Sequence, residues 1–337
     1  MVAPRPSSIR PGVLLIHPGT LGDVLLARPA IALLRRQFPE HELALVSAEA
    51  VGQVLLHAHE IDRLFSLERN HLGELYAGEQ DMTGEFQIWL SRCVLGIAWL
   101  SDADERIQRT LHEVGVQTVV MKSPASSDLA SLHQTARFIE TILGSEGGAP
   151  IVSRLTVSEI HKGLGCDLLS DVGLKNQSGL VAVHVGSGSR HKCLSPAVLS
   201  HVVGQLSEEG KRPFLLAGPA DGESLQAVRT HMRKLVPAIE GAELAAVAGL
   251  LSMVDLYVGH DSGLTHLAAA VGRPTVACFG PTDAQRWRPL GEHVRTVIGP
   301  RCVCSSWSTV QACRDKPCLA IPPEQILAAC REISAPW

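Results

Sequence analysis

Two loops and one carboxylate in this chain are built from residue types that handle phosphorylated ligands. The first loop is His184 to Lys192, HVGSGSRHK. Its glycines let backbone N–H groups close on an anion, Ser187 and Ser189 offer hydroxyl donors, and Lys192 adds a point charge. The second is Asp261-Ser262-Gly263-Leu264, which opens a segment of helical spacing. A helix start there presents unpaired N–H groups and a positive dipole end. His266 lies one turn further in, off the apolar stripe, and either faces the phosphates or is simply solvated. The carboxylate is Asp23, in the turn His17-Pro18-Gly19-Thr20-Leu21-Gly22-Asp23. It is either a helix N-terminal charge or, ionised and within reach of an alcohol, a general base. HVGSGSRHK by itself reads equally well as a plain polar turn. Two such loops at strand ends in one domain fit a nucleotide diphosphate.

These residues need strands and helices to hold them. Leu256-Tyr257-Val258 is a short apolar strand, and Leu264, Leu267, Ala268 and Val271 follow the i, i+3, i+4, i+7 spacing of a helix. Gly272 closes that helix, Pro274 blocks its continuation, and 275–279 (TVACF) is a second strand, so the whole is a βαβ unit. The pattern recurs along the chain. Strands are expected at 13–16, 42–47, 61–67, 117–121, 180–185 and 213–217. Helices are expected from Val24 to Phe38, with Pro29 marking a kink or a start, and at 48–59, 106–113, 129–143, 196–209, 223–235 and 243–251. Residues 68–85 read as a loop-rich excursion. Alternation of this kind implies parallel sheets with helices on both faces. The glycine-rich stretch 144–150 (GSEGGAP) is the best linker signal. It divides the chain into an N-terminal domain, 1–150, and a C-terminal domain, 151–337, facing each other over a cleft.

Two familiar phosphate motifs are absent. A dinucleotide fingerprint would need glycine where His191 stands, and the glycines of 204–211 are wrongly spaced for a P-loop and lie in a helical pattern. With 337 residues, 45% hydrophobic and 19% charged, the chain suits two ordinary globular domains of about 150 residues each. A net charge of −4 argues against nucleic acid as a partner. No apolar run approaches the roughly 20 residues of a membrane span; 88–100 reads as a buried element instead. No signal peptide is evident, and a cytoplasmic location is expected.

Of nine cysteines, Cys93, Cys166, Cys193, Cys278 and Cys330 are scattered, as small core hydrophobes are. Cys302, Cys304, Cys313 and Cys318 crowd one polar segment. Their spacing departs from the usual C-x2-C of zinc sites, which leaves a metal-stapled loop, free thiols or a redox-sensitive pair as alternatives.

Three stretches resemble glycosyltransferase family 9, the ADP-heptose:lipopolysaccharide heptosyltransferases. They are LLIHPGTLGDVLLARPAIALLRRQFP, HVGSGSRHKCLSP, and HDSGLTHLAAAVGRPTVACFGPTD with the trailing Arg286-Trp287. The cysteine segment followed by Ile321-Pro322-Pro323-Glu324-Gln325 is similar to the tail of some members. The resemblance implies a GT-B architecture, with the acceptor on the first domain, the donor on the second, and the last helix packing back on the first. It implies an inverting transfer of a heptose or related sugar from a nucleotide-diphosphate donor, with no metal and no cofactor. Asp23 would be the catalytic base. Ser187, Ser189 and Lys192 would bind the diphosphate, and Asp261, Ser262, Gly263, Leu264 and His266 would hold phosphates or sugar. The implied partners are the donor and a lipid-linked or glycan acceptor, which allows peripheral contact with the inner face of the inner membrane. His17, Arg28 and His260 depart from the family pattern. A nucleotide-sugar epimerase and a catalytically silent nucleotide-sugar scaffold are the alternative readings.

Overall fold

The computed structural model describes residues 10–79, 82, 84–124, 132–144 and 153–334. The expected linker at 144–150 therefore lies, apart from Gly144, outside the described residues. The chain groups into two compact units. One comprises Met1–Thr20, Ala27–Ala130 and Gln134–Ile151; the other comprises Leu21–Leu26, Ser131–His133 and Val152–Trp337.

Among the described residues the first unit has five strands: β1 (Gly12–Ile16), β2 (Glu42–Ser47), β3 (Arg63–Ser66), β4 (Cys93–Ala98) and β5 (Thr118–Met121). They pair in parallel in the order β3-β2-β1-β4-β5, with Leu14 opposite both Ala44 and Gly96. The connecting helices are α1 (Leu21–Gln37), α2 (Glu49–His57), α3 (His71–Ala77), α4 (Gly84–Leu90), α5 (Arg106–Glu113) and α6 (Gln134–Leu143). Every residue of β1 and β2 is buried, because crossover helices cover both faces of a parallel sheet. Leu14, Ile16, Phe65, Phe86, Trp89, Ile107 and Leu111 belong to one core cluster. Helix α1 begins at Leu21, so Pro29 sits inside it rather than at its start.

Among its described residues the second unit has six strands: β6 (Leu180–His184), β7 (Arg212–Ala217), β8 (Ala238–Glu240), β9 (Leu256–His260), β10 (Thr275–Phe279) and β11 (Val294–Ile298). All pairs are parallel, in the order β11-β10-β9-β6-β7-β8. Its helices are α7 (Glu159–Asp171), α8 (Pro196–Glu208), α9 (Gly222–His231), α10 (Leu244–Leu251), α11 (Gly263–Ala270), α12 (Ala284–Trp287), α13 (Trp307–Ala312) and α14 (Pro323–Ser334). The last of these, expected on the N-terminal domain, packs on β9, β10, β11 and α8. Its Ile326, Leu327, Cys330 and Ile333 are core residues of the second unit.

One sequence expectation changes here, and the buried element expected at 88–100 is identified. Residues 68–85 hold α3 and the start of α4 rather than a loop-rich excursion, with Leu75 and Phe86 buried. The stretch 88–100 contains a whole strand, β4, beside β1 at the centre of the first sheet.

Candidate functional site

The second sheet reverses its winding between β6 and β9. From β6 the chain moves outward through β7 and β8, and β9 then returns to its other side and leads to β10 and β11. Ligands of open α/β sheets bind at the C-terminal ends of the strands flanking such a switch point. Both sequence-predicted loops leave those ends. HVGSGSRHK follows β6, and Asp261-Ser262 joins β9 to α11.

Asp261 cross-links three loops. Its carboxylate Oδ2 accepts the Lys192 ammonium at 2.8 Å and the Thr282 hydroxyl at 2.7 Å, and its carbonyl accepts the Ser187 hydroxyl at 2.7 Å. Thr282 lies just after β10, so the loops behind β6, β9 and β10 are tied together at one edge. The motif PTD was legible in the sequence, yet Thr282 carried no assigned role there. Lys192 also sits 5.8 Å from the ring centroid of half-exposed Trp307, a cation–π contact the sequence did not suggest. Between a carboxylate and an aromatic face, the Lys192 charge is placed instead of swinging freely.

The hydroxyls have separate tasks. Ser187 gives its proton to Asp261, whereas Ser189 accepts the His191 N–H at the start of a short helical turn, 190–192. Gly188 is exposed, and a Cβ there would meet nothing within 4 Å, so the tip of this loop is open to an incoming group. Ser262 caps α11 by accepting the Thr265 N–H, and its oxygen also lies 3.2 Å from His184 Nδ1. Its side chain thus turns inward. What α11 can present to an anion is the backbone of Gly263 and Leu264.

His266 is buried, not solvated; burial pushes it down to about 4, against the pull of the Asp261 and Asp23 charges. His260 is likewise pushed down to about 4 by burial, while its Nδ1 bonds the Gly186 carbonyl at 2.9 Å. The second unit also includes the first turns of α1, and Asp23 is the acidic residue there. Within this unit a Cβ on Gly22 would approach His266 Cδ2 to 3.0 Å, and one on Gly263 would approach Leu21 Cβ to 2.9 Å. The two glycines let Asp23, His266 and the α11 start share one neighbourhood.

Two departures from the family pattern have structural occupations in the first unit. His17 Nδ1 accepts the Gly19 N–H at 3.1 Å, and its ring packs edge-on against Trp99 and Phe138. Arg28, 5% exposed, is held by both carboxylate oxygens of Glu60. The nine cysteines are all free thiols. Burial raises the Cys304 thiol, and its neighbours Cys302 and Cys313 raise it further; burial and Cys302 likewise push Cys318 up to about 11. Among the described residues no group of three or more His, Cys, Asp or Glu side chains is arranged to hold a metal ion.

Comparison with known proteins agrees with this architecture. Residues 169–317 match the model of "Glycosyltransferase family 9 (heptosyltransferase)". Lipopolysaccharide heptosyltransferase 2 of Escherichia coli is 32% identical over 308 residues, 85% of this chain and 87% of that protein. A family 9 glycosyl transferase from Veillonella parvula superposes with a TM-score of 0.79 at 18% identity, covering 96% of this chain and 97% of that one. The E. coli ADP-heptose lps heptosyltransferase II gives 0.74 at 17% identity, covering 96% and 98%. The fold is accordingly α/β, the GT-B plan of two doubly wound units, and the chain belongs to glycosyltransferase family 9, the heptosyltransferase family, as a glycosyltransferase.

Proposed function

We propose that this enzyme transfers a heptose from an ADP-linked donor to a lipopolysaccharide core or related glycan, with inversion and without a metal ion. The observation that carries this reading is the knot at Asp261, which gathers Lys192, Ser187 and Thr282 at the switch point beside the start of α11. Such a site offers one placed cation and the N–H groups of Gly263 and Leu264 to a pyrophosphate. Ser189 retains a hydroxyl proton to donate. Its relative from E. coli, named for transfer of heptose in lipopolysaccharide, supports this choice of sugar and acceptor.

In the reaction the acceptor hydroxyl oxygen attacks the anomeric carbon and bonds to it as the bond from that carbon to the diphosphate oxygen breaks. Asp23 takes the hydroxyl proton. Lys192 and the start of α11 stabilise the charge that grows on the leaving diphosphate, where preorganised donors act most strongly. Inversion follows from a single in-line displacement. Asp261 acts on Lys192 and Thr282 and orients them; near the sugar it is an acceptor for hydroxyl groups, as an ionised carboxylate only accepts.

The domains at 1–150 and 151–337 bind acceptor and donor respectively in this reading. No helix among the described residues is long and apolar enough to cross a membrane, so contact with a lipid-linked acceptor at the cytoplasmic face of the inner membrane would be peripheral. The test is thermal unfolding with ADP-, GDP- and UDP-sugars, each followed by a transfer assay on truncated lipopolysaccharide. ADP-heptose should raise Tm and yield a heptosylated product. No rise with any nucleotide sugar, at concentrations far above a micromolar Kd, would overturn the proposal.

A further inference from the structure

A buried chain of side chains runs beneath the site, with one member at the end of β6 and one in each of the turns that follow its neighbours β9 and β7. β9, β6 and β7 lie side by side; His184 ends β6, Ser262 caps α11 after β9, and Asp221 precedes α9 after β7. All three are buried, at 7%, 2% and 9% exposure. Asp221 Oδ2 lies 3.2 Å from His184 Nε2 and accepts the Gly218 N–H at 2.8 Å. On the other side of the ring, His184 Nδ1 lies 3.2 Å from Ser262 Oγ. The β6 loop is shaped around this arrangement, since a Cβ on Gly186 would fall 1.9 Å from the Asp221 carboxylate.

The direction of the chain follows from the chemistry of its members. Burial works to raise Asp221, but the His184 ring and the Gly218 N–H outweigh it and hold the carboxyl below its ordinary range. An ionised carboxylate only accepts, so the proton between it and His184 belongs to Nε2. With that proton on Nε2, Nδ1 is left as an acceptor for the Ser262 hydroxyl, which Thr265 Oγ1 at 3.1 Å also attracts because its own proton goes to the His260 carbonyl. The Ser262 oxygen keeps its lone pairs for the helix, where it receives the Thr265 N–H at 3.4 Å. A carboxylate, an imidazole and a hydroxyl in series suggest a nucleophile, but this hydroxyl is buried and committed to a helix cap. Its use is geometric.

We propose that Asp221 and His184 are positioning residues for the nucleotide-diphosphate donor: Asp221 holds His184 as the Nε2–H tautomer, which draws in Ser262 and sets the start of α11 beside Lys192. The role rests on the reading that the diphosphate lies at that helix start. Removing the acceptor at 221 frees the ring to exchange tautomers and lets the Ser262 cap turn, so donor binding suffers while the chemical step keeps its groups. Asparagine at 221 can still place an oxygen where Oδ2 stands, and so should restore both.

The experiment combines long-range 1H–15N spectra of the histidine rings at pH 7.5 with donor kinetics on wild type, Asp221→Ala and Asp221→Asn. Wild type should show His184 with Nδ1 unprotonated. Asp221→Ala should show protonation at Nδ1 and a donor KM raised about tenfold, near 1.4 kcal/mol, with kcat little changed. Asp221→Asn should keep the wild-type tautomer and a KM within about threefold of wild type; a loss due only to packing would raise KM in Asp221→Ala without moving the ring proton to Nδ1. A wild-type spectrum with Nδ1 protonated overturns the proposal, as does an unchanged KM in Asp221→Ala. If wild type binds no nucleotide diphosphate, the donor reading is what has failed, and the positioning role falls with it even where the tautomer is as stated. The wild-type spectrum alone decides the hydrogen-bonded chain should Asp221→Ala not fold.

Discussion

Asp261 and Trp307 fix where the Lys192 charge stands, and this makes it more than one basic residue in a polar loop. Asp261 holds the ammonium at 2.8 Å, and Thr282 shares the same carboxylate oxygen. Lys192→Gln should weaken ADP binding by about 1.5–3 kcal/mol, the range for a hydrogen bond to a charged group. Thr282→Val leaves the ion pair and removes one donor, so a loss of about 1 kcal/mol is expected. Calorimetric titration with ADP measures both; equal losses, or none, would contradict this division. At this scale residue types were legible and hydrogen-bond assignments were not. Asp261, Ser262 and Lys192 stand out in the sequence as polar groups at strand ends. That Ser262 turns inward to His184, 78 positions away, depends on strand neighbours no local pattern reveals. The burial of His266 was equally hidden, because a position off its own helix's apolar stripe is covered by residues from other elements.

Elements with a strong local pattern were readable: the β9–α11–β10 unit appears with Ser262 as cap and Gly272 in the left-handed region (φ 79°) just after the helix. Others lacked the contrast that periodicity needs. In α7 the apolar Ile160 is 77% exposed while His161 is buried, so its polar and apolar faces are mixed. Strand β4 sits between β1 and β5, a position in which both faces are covered, and its sequence CVLGIA accordingly shows no alternation. Helix α3 is short and starts after Asn70, whose φ of 64° ends the preceding turn. Close packing also yields a prediction at this scale. Gly186→Ala forces its new methyl into the Asp221 carboxylate, a clash expected to cost about 1–3 kcal/mol of stability. Gly188→Ala, with open space around it, should cost less than about 0.5 kcal/mol. Urea midpoints for the two variants provide the comparison, and similar midpoints would contradict the packing described.

For the molecule as a whole, the buried histidines make stability depend on acid. His260 and His266 are each pushed from 6.5 down to about 4 by burial, so both are neutral in the folded protein at pH 7. Between pH 6.5 and 4 the unfolded chain binds protons that the folded one refuses, and stability therefore falls as pH falls through that window. Denaturant midpoints should be lower at pH 5 than at pH 7.5, and His260→Asn, which keeps a donor for Gly186, should flatten the slope by up to about one proton. A midpoint that is level across this range would contradict the burial. The doubly wound plan of both halves was readable from alternating strands and helices, whereas the packing of α14 onto the second sheet was not, since an amphipathic helix does not state which sheet it covers.

The central claim is that Asp23 accepts the acceptor's proton while the Lys192 and Ser262 loops bind the donor. The most direct measurement is transfer rate and donor Kd determined on the same preparations of wild type and Asp23→Ala. The expected result is a fall in kcat of about 10²–10⁴, the contribution typical of a general base, with donor Kd changed by less than about threefold. Undiminished turnover in Asp23→Ala would contradict the claim, and so would a loss that appears wholly as weaker donor binding.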